Sequence, residues 1–242
     1  MTSILKILTE YCAVFVDDVR LEELAVTDPP LWARRMYGYF RAAVPLFNLP
    51  AEMPEYLMGS DTAPKLTEPI FKDKVYRAGR EEISDFTVAL GEDFEGFDLC
   101  SCRLRSYNGR GEVVMIPIPS EYDADSGSVV IHASESLPVP EGAFLDFDLY
   151  RDGYFHNTLS PEMMNILAMC FQCIWQERFN TDWLSNVSKI EDKSFFEQNR
   201  ANKMNADSAR LRELREKLAG EMRRYEQNIF WRRFVTNKVD LG

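Results

Sequence analysis

The spacing of apolar residues changes twice along this 242-residue chain, and this change constrains the fold more than any single motif does. At both ends, apolar side chains recur every three or four residues, which is the repeat of an α-helix. Between residues 70 and 154 they fall instead in short β-rich runs separated by turn residues. The sequence therefore predicts helical ends around a β-rich middle.

Two amphipathic helices are predicted in the N-terminal part. The first spans about residues 3–23. The second begins at Asp28-Pro29-Pro30, because a capping carboxylate followed by proline in the first turn is typical of a helix start. Pro45 should disturb this helix near its end, since proline removes a helical hydrogen bond. The proline-rich stretch 48–69 is predicted to be a connector.

Five runs in the middle of the chain have strand-like composition. They are residues 86–90, 98–107, 112–117, 128–133 and 143–149. Asn108-Gly109, between two of these runs, predicts a tight hairpin turn with positive φ at both central residues. Pro117 and Pro119 predict that the strand they end lies at a sheet edge, because proline cannot donate to a ladder.

Two helices are predicted again in the C-terminal part. Ser160-Pro161-Glu162 combines a capping serine, a first-turn proline and an acid where the helix dipole favours it. After a polar stretch, the last long helix places six apolar residues on one stripe: Leu211, Leu214, Leu218, Met222, Tyr225 and Ile229.

These patterns predict an α+β fold, in which a helical bundle from the N- and C-terminal segments carries an inserted all-β unit of sandwich or barrel type. The predicted divisions are 1–69 (N-terminal helices and connector), 70–156 (inserted β domain) and 157–242 (C-terminal helices and docking tail).

Composition limits the class of protein. With 45% apolar and 28% charged residues, the chain can bury a core, so disorder is excluded. The net charge of -11 disfavours a conventional DNA-binding surface, which needs a cationic field. We expect no leader peptide and no membrane span, because no apolar run reaches 18 residues. Five cysteines, an odd number, favour reduced thiols and cytoplasmic synthesis.

The charge is unevenly divided along the chain. Residues 1–199 contain 17 basic and 33 acidic side chains, whereas residues 200–242 contain 11 basic and 6 acidic side chains. One interpretation is head-to-tail complementarity between copies, or attraction of an acidic partner. The other is a solvated helix face of Arg and Glu pairs.

Two cysteine pairs raise the possibility of zinc binding. Cys170 and Cys173 form a CxxC pair, and Cys100 with Cys102 could supply two further thiolates. The first pair lies inside an apolar helix without a turn, and the second lies on one face of a strand. Both settings favour buried structural cysteines.

Other chemical motifs are weaker still. Asp123, Asp125 and Gly127 resemble the front of a calcium loop, but a polar turn is the favoured interpretation. His132 and His156 have no neighbouring nucleophile motif, and the chain has no glycine-rich phosphate loop. We therefore predict no catalytic residue, no metal and no cofactor, and expect that the protein is not an enzyme.

The C-terminus carries an aromatic and basic cluster of the residue types found in interface hot spots. We predict a partner-docking segment there: Phe230, Trp231, Arg232, Arg233, Phe234, Val235, Asn237 and Lys238. The helix is expected to end before a short tail, 235–242. The alternative is that Trp231 and Phe234 cover the protein's own core, with the arginines at a helix C-terminus.

The order of parts resembles the head-to-tail adaptor (connector or neck) proteins of tailed bacteriophages. Three runs carry the resemblance: PPLWARRMYGYFRAAVPLFN, LSPEMMNILAMCFQCIWQERF and KSFFEQNRANKMNADSARLRELREKLAGEMRRYEQ. They cover the helical parts at both ends, whereas the β-rich insert matches nothing in the family pattern.

The resemblance implies a structural virion protein that forms a homo-oligomeric ring, dodecameric in this family, between portal and tail. Its partners would be the portal protein, which the C-terminal segment docks, and a tail or second neck protein. Double-stranded DNA would pass without specific binding, and the protein would lie in the virion neck after assembly in the host cytoplasm. The alternatives are a scaffold protein that uses its last helix for a partner, or a metal-dependent or carboxylate enzyme built on the β unit.

Overall fold

The computed structural model describes residues 1–16, 18–47, 66–187 and 193–239. In the last two helices, side chains are described for residues 161–178, 205–228 and Trp231. The helices are α1 (Ile4–Ile7), α2 (Val19–Thr27), α3 (Pro29–Ala43), α4 (Pro161–Val187) and α5 (Lys193–Val239). The strands are β1 (Thr2–Ser3), β2 (Leu66–Thr67), β3 (Ile70–Arg77), β4 (Phe86–Ala89), β5 (Leu99–Tyr107), β6 (Val113–Ile118), β7 (Ser120–Asp123), β8 (Ser128–Ile131), β9 (Phe144–Arg151) and β10 (Tyr154–Phe155).

The N-terminal segment is not the single helix predicted over residues 3–23. α1 passes into a π-helical turn at Leu8–Cys12 and a 3-10 turn at Ala13–Phe15, after which the chain extends at Val16. Asp18 then caps α2 by accepting a hydrogen bond from the Arg20 N–H at 2.9 Å. This local cap offers the backbone an alternative to a continuous helix, so two helical pieces form.

The predicted start of α3 is confirmed. The Asp28 carboxylate accepts a hydrogen bond from the Leu31 N–H at 3.2 Å, and Pro29 and Pro30 occupy the first turn. α3 ends at Ala43 and gives way to a 3-10 turn containing Pro45, as the proline predicted. Edge-on contact between Tyr39 and Trp175, with ring centroids 4.9 Å apart, joins α3 to α4.

In the described part of the chain, ten strands form three antiparallel sheets. The largest has the order β3-β9-β5-β6, the second has the order β4-β8-β7, and a small sheet joins β1, β10 and β2. All five predicted strand runs are confirmed within a few residues, and β6 lies at an edge, as Pro117 predicted. β3 was not predicted from the sequence, because its charged residues interrupt the strand-like apolar pattern.

A hairpin joins β5 and β6 as predicted, but the predicted two-residue turn is wrong. β5 and β6 pair antiparallel, and the Asn108 N–H bonds to the Glu112 carbonyl at 3.0 Å. The loop is therefore longer than two residues, and its positive φ of 76° lies at Gly111 rather than at Gly109. The Asn108 side chain also accepts hydrogen bonds from the N–H groups of Arg110 and Glu112, which favours this longer loop.

The predicted architecture, a helical bundle with an inserted sandwich or barrel, is wrong, although the class is α+β in the broad sense. β1 at the N-terminus pairs with β10, and α3 packs on β5 and β9 of the largest sheet. Tyr150 and Phe155, from β9 and β10, lie in the same hydrophobic cluster as the helices. A second cluster, centred on Phe147 and Ile131, lies between the two larger sheets. The helices therefore need the largest sheet as a packing surface.

α4 and α5 follow the predicted patterns. The Ser160 hydroxyl accepts a hydrogen bond from the Met163 N–H at 3.2 Å, which confirms the predicted cap of α4. On α5, Leu218 and Tyr225 are buried, and Leu211, Leu214 and Met222 pack against the same helical cluster. The side chain of Ile229, the last residue of the predicted stripe, lies outside those described.

Candidate interaction surfaces

The predicted docking segment lies on the last turns of α5. The backbones of Phe230, Trp231, Arg232, Arg233, Phe234, Val235, Asn237 and Lys238 are all helical. Trp231 is 62% exposed, an unusual state for the largest apolar side chain and one that favours a partner contact over a core position. The other seven side chains lie outside those described.

The predicted short tail at residues 235–242 is wrong, because α5 continues to Val239. No glycine or proline occurs between Phe230 and Val239 to end the helix. Residues 240–242 lie outside the described part of the chain. The candidate docking segment is therefore a helix end, which can present a face to a partner.

α5 runs antiparallel to α4. The contacts between the two helices show how far α5 extends beyond the start of α4. Arg215 pairs with Glu177 at 2.8 Å, whereas Asn228 lines a groove of about 350 Å³ together with Glu162, near the start of α4. α4 begins at Pro161 and so offers no helix surface beyond that level. At 1.5 Å per residue, the eleven residues that follow Asn228, up to Val239, extend about 16 Å farther.

The described part of α5 shows how its basic residues are used. Arg212 pairs with Glu216 at 3.1 Å, and Arg224 pairs with Glu221 at 3.2 Å, both within the helix. Such exposed pairs contribute little to stability. They support the solvated-face interpretation for residues 210–226. Charge complementarity with another copy or an acidic partner would instead involve the excess of basic residues toward the C-terminus, where Arg232 and Arg233 lie.

An ionic cluster that the sequence did not predict lies where α3 packs on the largest sheet. Asp28 is buried, accepts a 2.6 Å hydrogen bond from the Ser101 hydroxyl and pairs with Arg103 at 3.2 Å. The Arg103 guanidinium also contacts Asp148. On the outer side, Arg34 pairs with Asp73 at 2.7 Å, and Asp73 lies directly opposite Asp148 in the β3–β9 ladder. Three carboxylates therefore share two guanidinium groups.

The pKa values of two of these carboxyl groups move in opposite directions. Burial, followed by the neighbouring carboxylates Asp28 and Asp73, raises the pKa of Asp148 to about 6 despite the opposing effect of Arg103. Desolvation is the largest single effect on Asp73 and raises its pKa, but the hydrogen bonds to Arg34 and Asp148 and the positive charges of Arg34 and Arg103 together lower this pKa below its ordinary value. The pair can therefore hold one proton between two carboxylates below about pH 6. Since α3 covers Asp148, we interpret the cluster as the attachment of α3 to the sheet.

The cysteines are free thiols in packed surroundings. Four of them, Cys12, Cys102, Cys170 and Cys173, are buried, which confirms the predicted burial of the Cys170–Cys173 pair, whereas Cys100 of the other pair is only half-buried. Burial raises the pKa of Cys100 and of Cys170 to about 12, so both thiols are protonated at neutral pH. Among the described residues, no group of three or more His, Cys, Asp or Glu side chains is arranged to hold a metal ion.

The calcium-like residues form the predicted polar turn. Asp123 accepts hydrogen bonds from the Asp125 N–H at 3.0 Å and from the Ser126 hydroxyl at 2.6 Å, and Gly127 has a φ of 58°. The Asp123 carboxylate is thus used to close the β7–β8 hairpin. The histidines lie apart from this turn: His132 contacts Asp85 at 3.0 Å, and His156 contacts Thr67 at 3.0 Å.

In comparisons with known proteins, no family model, no curated protein and no solved structure matches this chain. In the part of the chain that the structure describes, no helix is long and apolar enough to cross a membrane.

Proposed function

We propose that this protein is a non-enzymatic structural component of a tailed-phage virion, a ring adaptor between portal and tail that lines the DNA channel. The observation that carries the proposal is the end of α5, which continues past the start of α4 and bears the exposed Trp231 among aromatic and basic residues. A projecting helix end with a large aromatic anchor is suited to insertion into a partner's groove. The portal protein is the proposed partner there.

The charge distribution is consistent with a conduit. Residues 1–199 are strongly acidic, and an electronegative lumen weakens binding of a polyanion that must pass through. The basic end of α5 would instead meet an acidic surface, on the portal or on the next copy. A tail or second neck protein would bind the other face of the ring, which is dodecameric if the resemblance holds.

The first experiment is negative-stain electron microscopy of the purified protein, combined with co-purification on the portal protein encoded in the same genome. We expect ring-shaped class averages with an open centre, alone or on the portal. Deleting residues 235–242, or replacing Trp231 with alanine, should abolish portal binding, while the helical circular dichroism signal falls by no more than the helical residues 235–239 contribute. Tyr107→Ala, at another exposed aromatic residue, is the matched control. Portal binding that survives both changes would overturn the assignment of this segment.

The scaffold alternative makes a different prediction from the same helix. α5 is 47 residues long, and its described packing contacts are concentrated between Leu211 and Tyr225. A scaffold protein would use α5 to capture one long-lived partner without forming a ring. A stable one-to-one complex with no rotational symmetry, at any protein concentration, would favour this alternative.

A further inference from the structure

The largest sheet ends in two open edges, β6 on one side and β3 on the other. Among the described strands, β6 pairs with β5 alone and β3 pairs with β9 alone. In an antiparallel ladder, the backbone groups of alternate residues point to opposite sides of the strand. The bond between Asn108 and Glu112 sets this alternation for β6, so Val113, Met115 and Pro117 direct their backbone groups away from β5.

The same argument applies to β3. The Ala78 N–H bonds to the Ala143 carbonyl at 2.9 Å, and this bond continues the β3–β9 ladder. Asp73, Val75 and Arg77 therefore direct their backbone groups away from β9. β6 thus offers a row of three residues to a further strand, and β3 offers four, because Phe71 continues its row.

β6 lacks most of the devices that protect an open edge. Sheet edges are usually blunted by charged side chains, by proline or by a covering element. Residues 113–116 are uncharged, and Val113 and Met115 are 56% and 37% exposed. Pro117, at the end of the row, removes a single donor. An edge of this kind is suited to strand addition.

We propose that β6 of one copy pairs with β3 of a second copy, so that the sheet continues from subunit to subunit. This inference rests on the proposed ring, because it supplies the head-to-tail contact that a ring needs. Strand direction alternates across β3-β9-β5-β6, so β6 runs opposite to β3. A second copy's β3 therefore meets β6 in the antiparallel sense of the rest of the sheet.

One register brings together an exposed apolar side chain from each edge. Val75, which is 48% exposed, shares a sheet face with Pro117, because Val75, Asp146, Arg103 and Pro117 lie in one row across the four strands. With Met115 opposite Val75, two exposed apolar side chains cover each other. Pro117 then lies opposite Asp73, and the contact gains about five backbone hydrogen bonds.

A two-fold contact between two β6 strands is the competing arrangement. It would place Met115 opposite Met115 and lose two donors, one at each Pro117. It also closes after two copies and cannot build a ring. The register with β3 is therefore the favoured one.

The test uses cysteine variants of the full chain in which Cys100, the half-buried native cysteine, is replaced with serine, together with a short thiol-to-thiol crosslinker. A mixture of Val75→Cys and Met115→Cys proteins should give a covalent dimer, and neither variant alone should do so. Val26→Cys, at an exposed apolar residue on α2, replaces either partner as the control. Crosslinking of Met115→Cys to itself would show the two-fold contact and overturn the proposal, as would the absence of any crosslink in the mixture.

A second variant separates the strand contact from the adaptor function. Met115→Lys should raise the protein concentration needed for ring assembly by roughly tenfold or more, since it places an unpaired charge at a covered position, whereas Val26→Lys should have no effect. Rings of Met115→Lys that assemble normally would overturn the strand contact and leave the adaptor function in place. Specific 75–115 crosslinking in a protein that never binds the portal would support the contact and overturn the adaptor function.

Discussion

Asp148→Asn is expected to stabilise the protein at neutral pH, even though it removes a carboxylate that contacts Arg103. Among the described residues, Asp28, Asp73 and Asp148 share Arg34 and Arg103, so one negative charge is in excess when all three acids are ionised. Burial is the largest contribution to the raised pKa of Asp148, and Asp28 and Asp73 add to it. Asparagine keeps the shape of the protonated acid. Its carbonyl can accept from Arg103, and its amide can donate to Asp73.

The magnitude follows from the pKa of Asp148. A rise from the ordinary value of 3.8 to about 6 corresponds to about 3 kcal/mol at most, at about 1.4 kcal/mol per unit. Between about pH 4 and pH 6 the folded protein binds more protons than the unfolded chain, so this group lowers the free energy of unfolding as the pH rises. We therefore expect Asp148→Asn to add about 1–3 kcal/mol at pH 7.5 and almost nothing near pH 4.

The assay is urea unfolding of wild-type and variant proteins at pH 7.5, 5.5 and 4.5, followed by tryptophan fluorescence. Asp146→Asn is the matched control, because Asp146 pairs one-to-one with Arg105 at 2.5 Å and leaves no excess charge. This control should lose roughly 1–3 kcal/mol at pH 7.5, because it removes the charged partner of a largely buried pair. Destabilisation by Asp148→Asn at pH 7.5, or a gain that does not change with pH, would refute the reasoning.

Two further predictions concern the helical core and the thiols. Leu218→Ala should lower the free energy of unfolding by about 2–4 kcal/mol in urea, since Leu218 is buried between α5 and the helical cluster, whereas the exposed Glu213→Ala should change it by less than about 0.5 kcal/mol. A loss near zero for Leu218→Ala would mean that α5 does not pack as described. The thiols should react with a colorimetric disulfide reagent at least about 100-fold faster in urea than in the folded state, with the half-buried Cys100 reacting first, because burial disfavours the thiolates. Rapid reaction of Cys170 in the folded protein would contradict this expectation.

Structural features that depend on residues three or four positions apart in the chain could be predicted from the sequence. The caps of α3 and α4 are of this kind, because Asp28 and Ser160 bond to N–H groups only three residues ahead. Pro45 and Pro117 likewise predicted the end of α3 and the edge position of β6, since a proline removes the backbone N–H donor at its own position. The conformation of the hairpin loop was harder to predict, because either Gly109 or Gly111 could adopt the positive φ. The hydrogen bonds of the Asn108 side chain favour the loop in which Gly111 does so.

The ionic cluster depends on which strands become neighbours, and this is not a local property. Arg103 and Arg105 alternate with apolar residues in β5, as Asp146 and Asp148 do in β9. The alternation of opposite charges was visible in the sequence and could have indicated that the two strands pair. It did not indicate that α3 would cover the charged face. That missing contact is also why the bundle-and-insert architecture was wrong.

The predicted division at residues 70 and 156 stays a prediction, and the packing of β9 and β10 suggests how a fragment would behave. Tyr150 and Phe155 are fully buried, and both contact the helical cluster rather than the cluster between the sheets. In an excised fragment 70–156 they would be exposed on the side that the helices cover, at a cost of roughly 2–3 kcal/mol for each ring. Arg103 would also lose Asp28, its partner from the start of α3. These losses are comparable to the whole stability of a small domain, about 5–15 kcal/mol. The fragment should therefore lack dispersed amide signals in NMR spectra and a cooperative thermal transition, and a well-folded fragment would contradict a core that helices and sheet share.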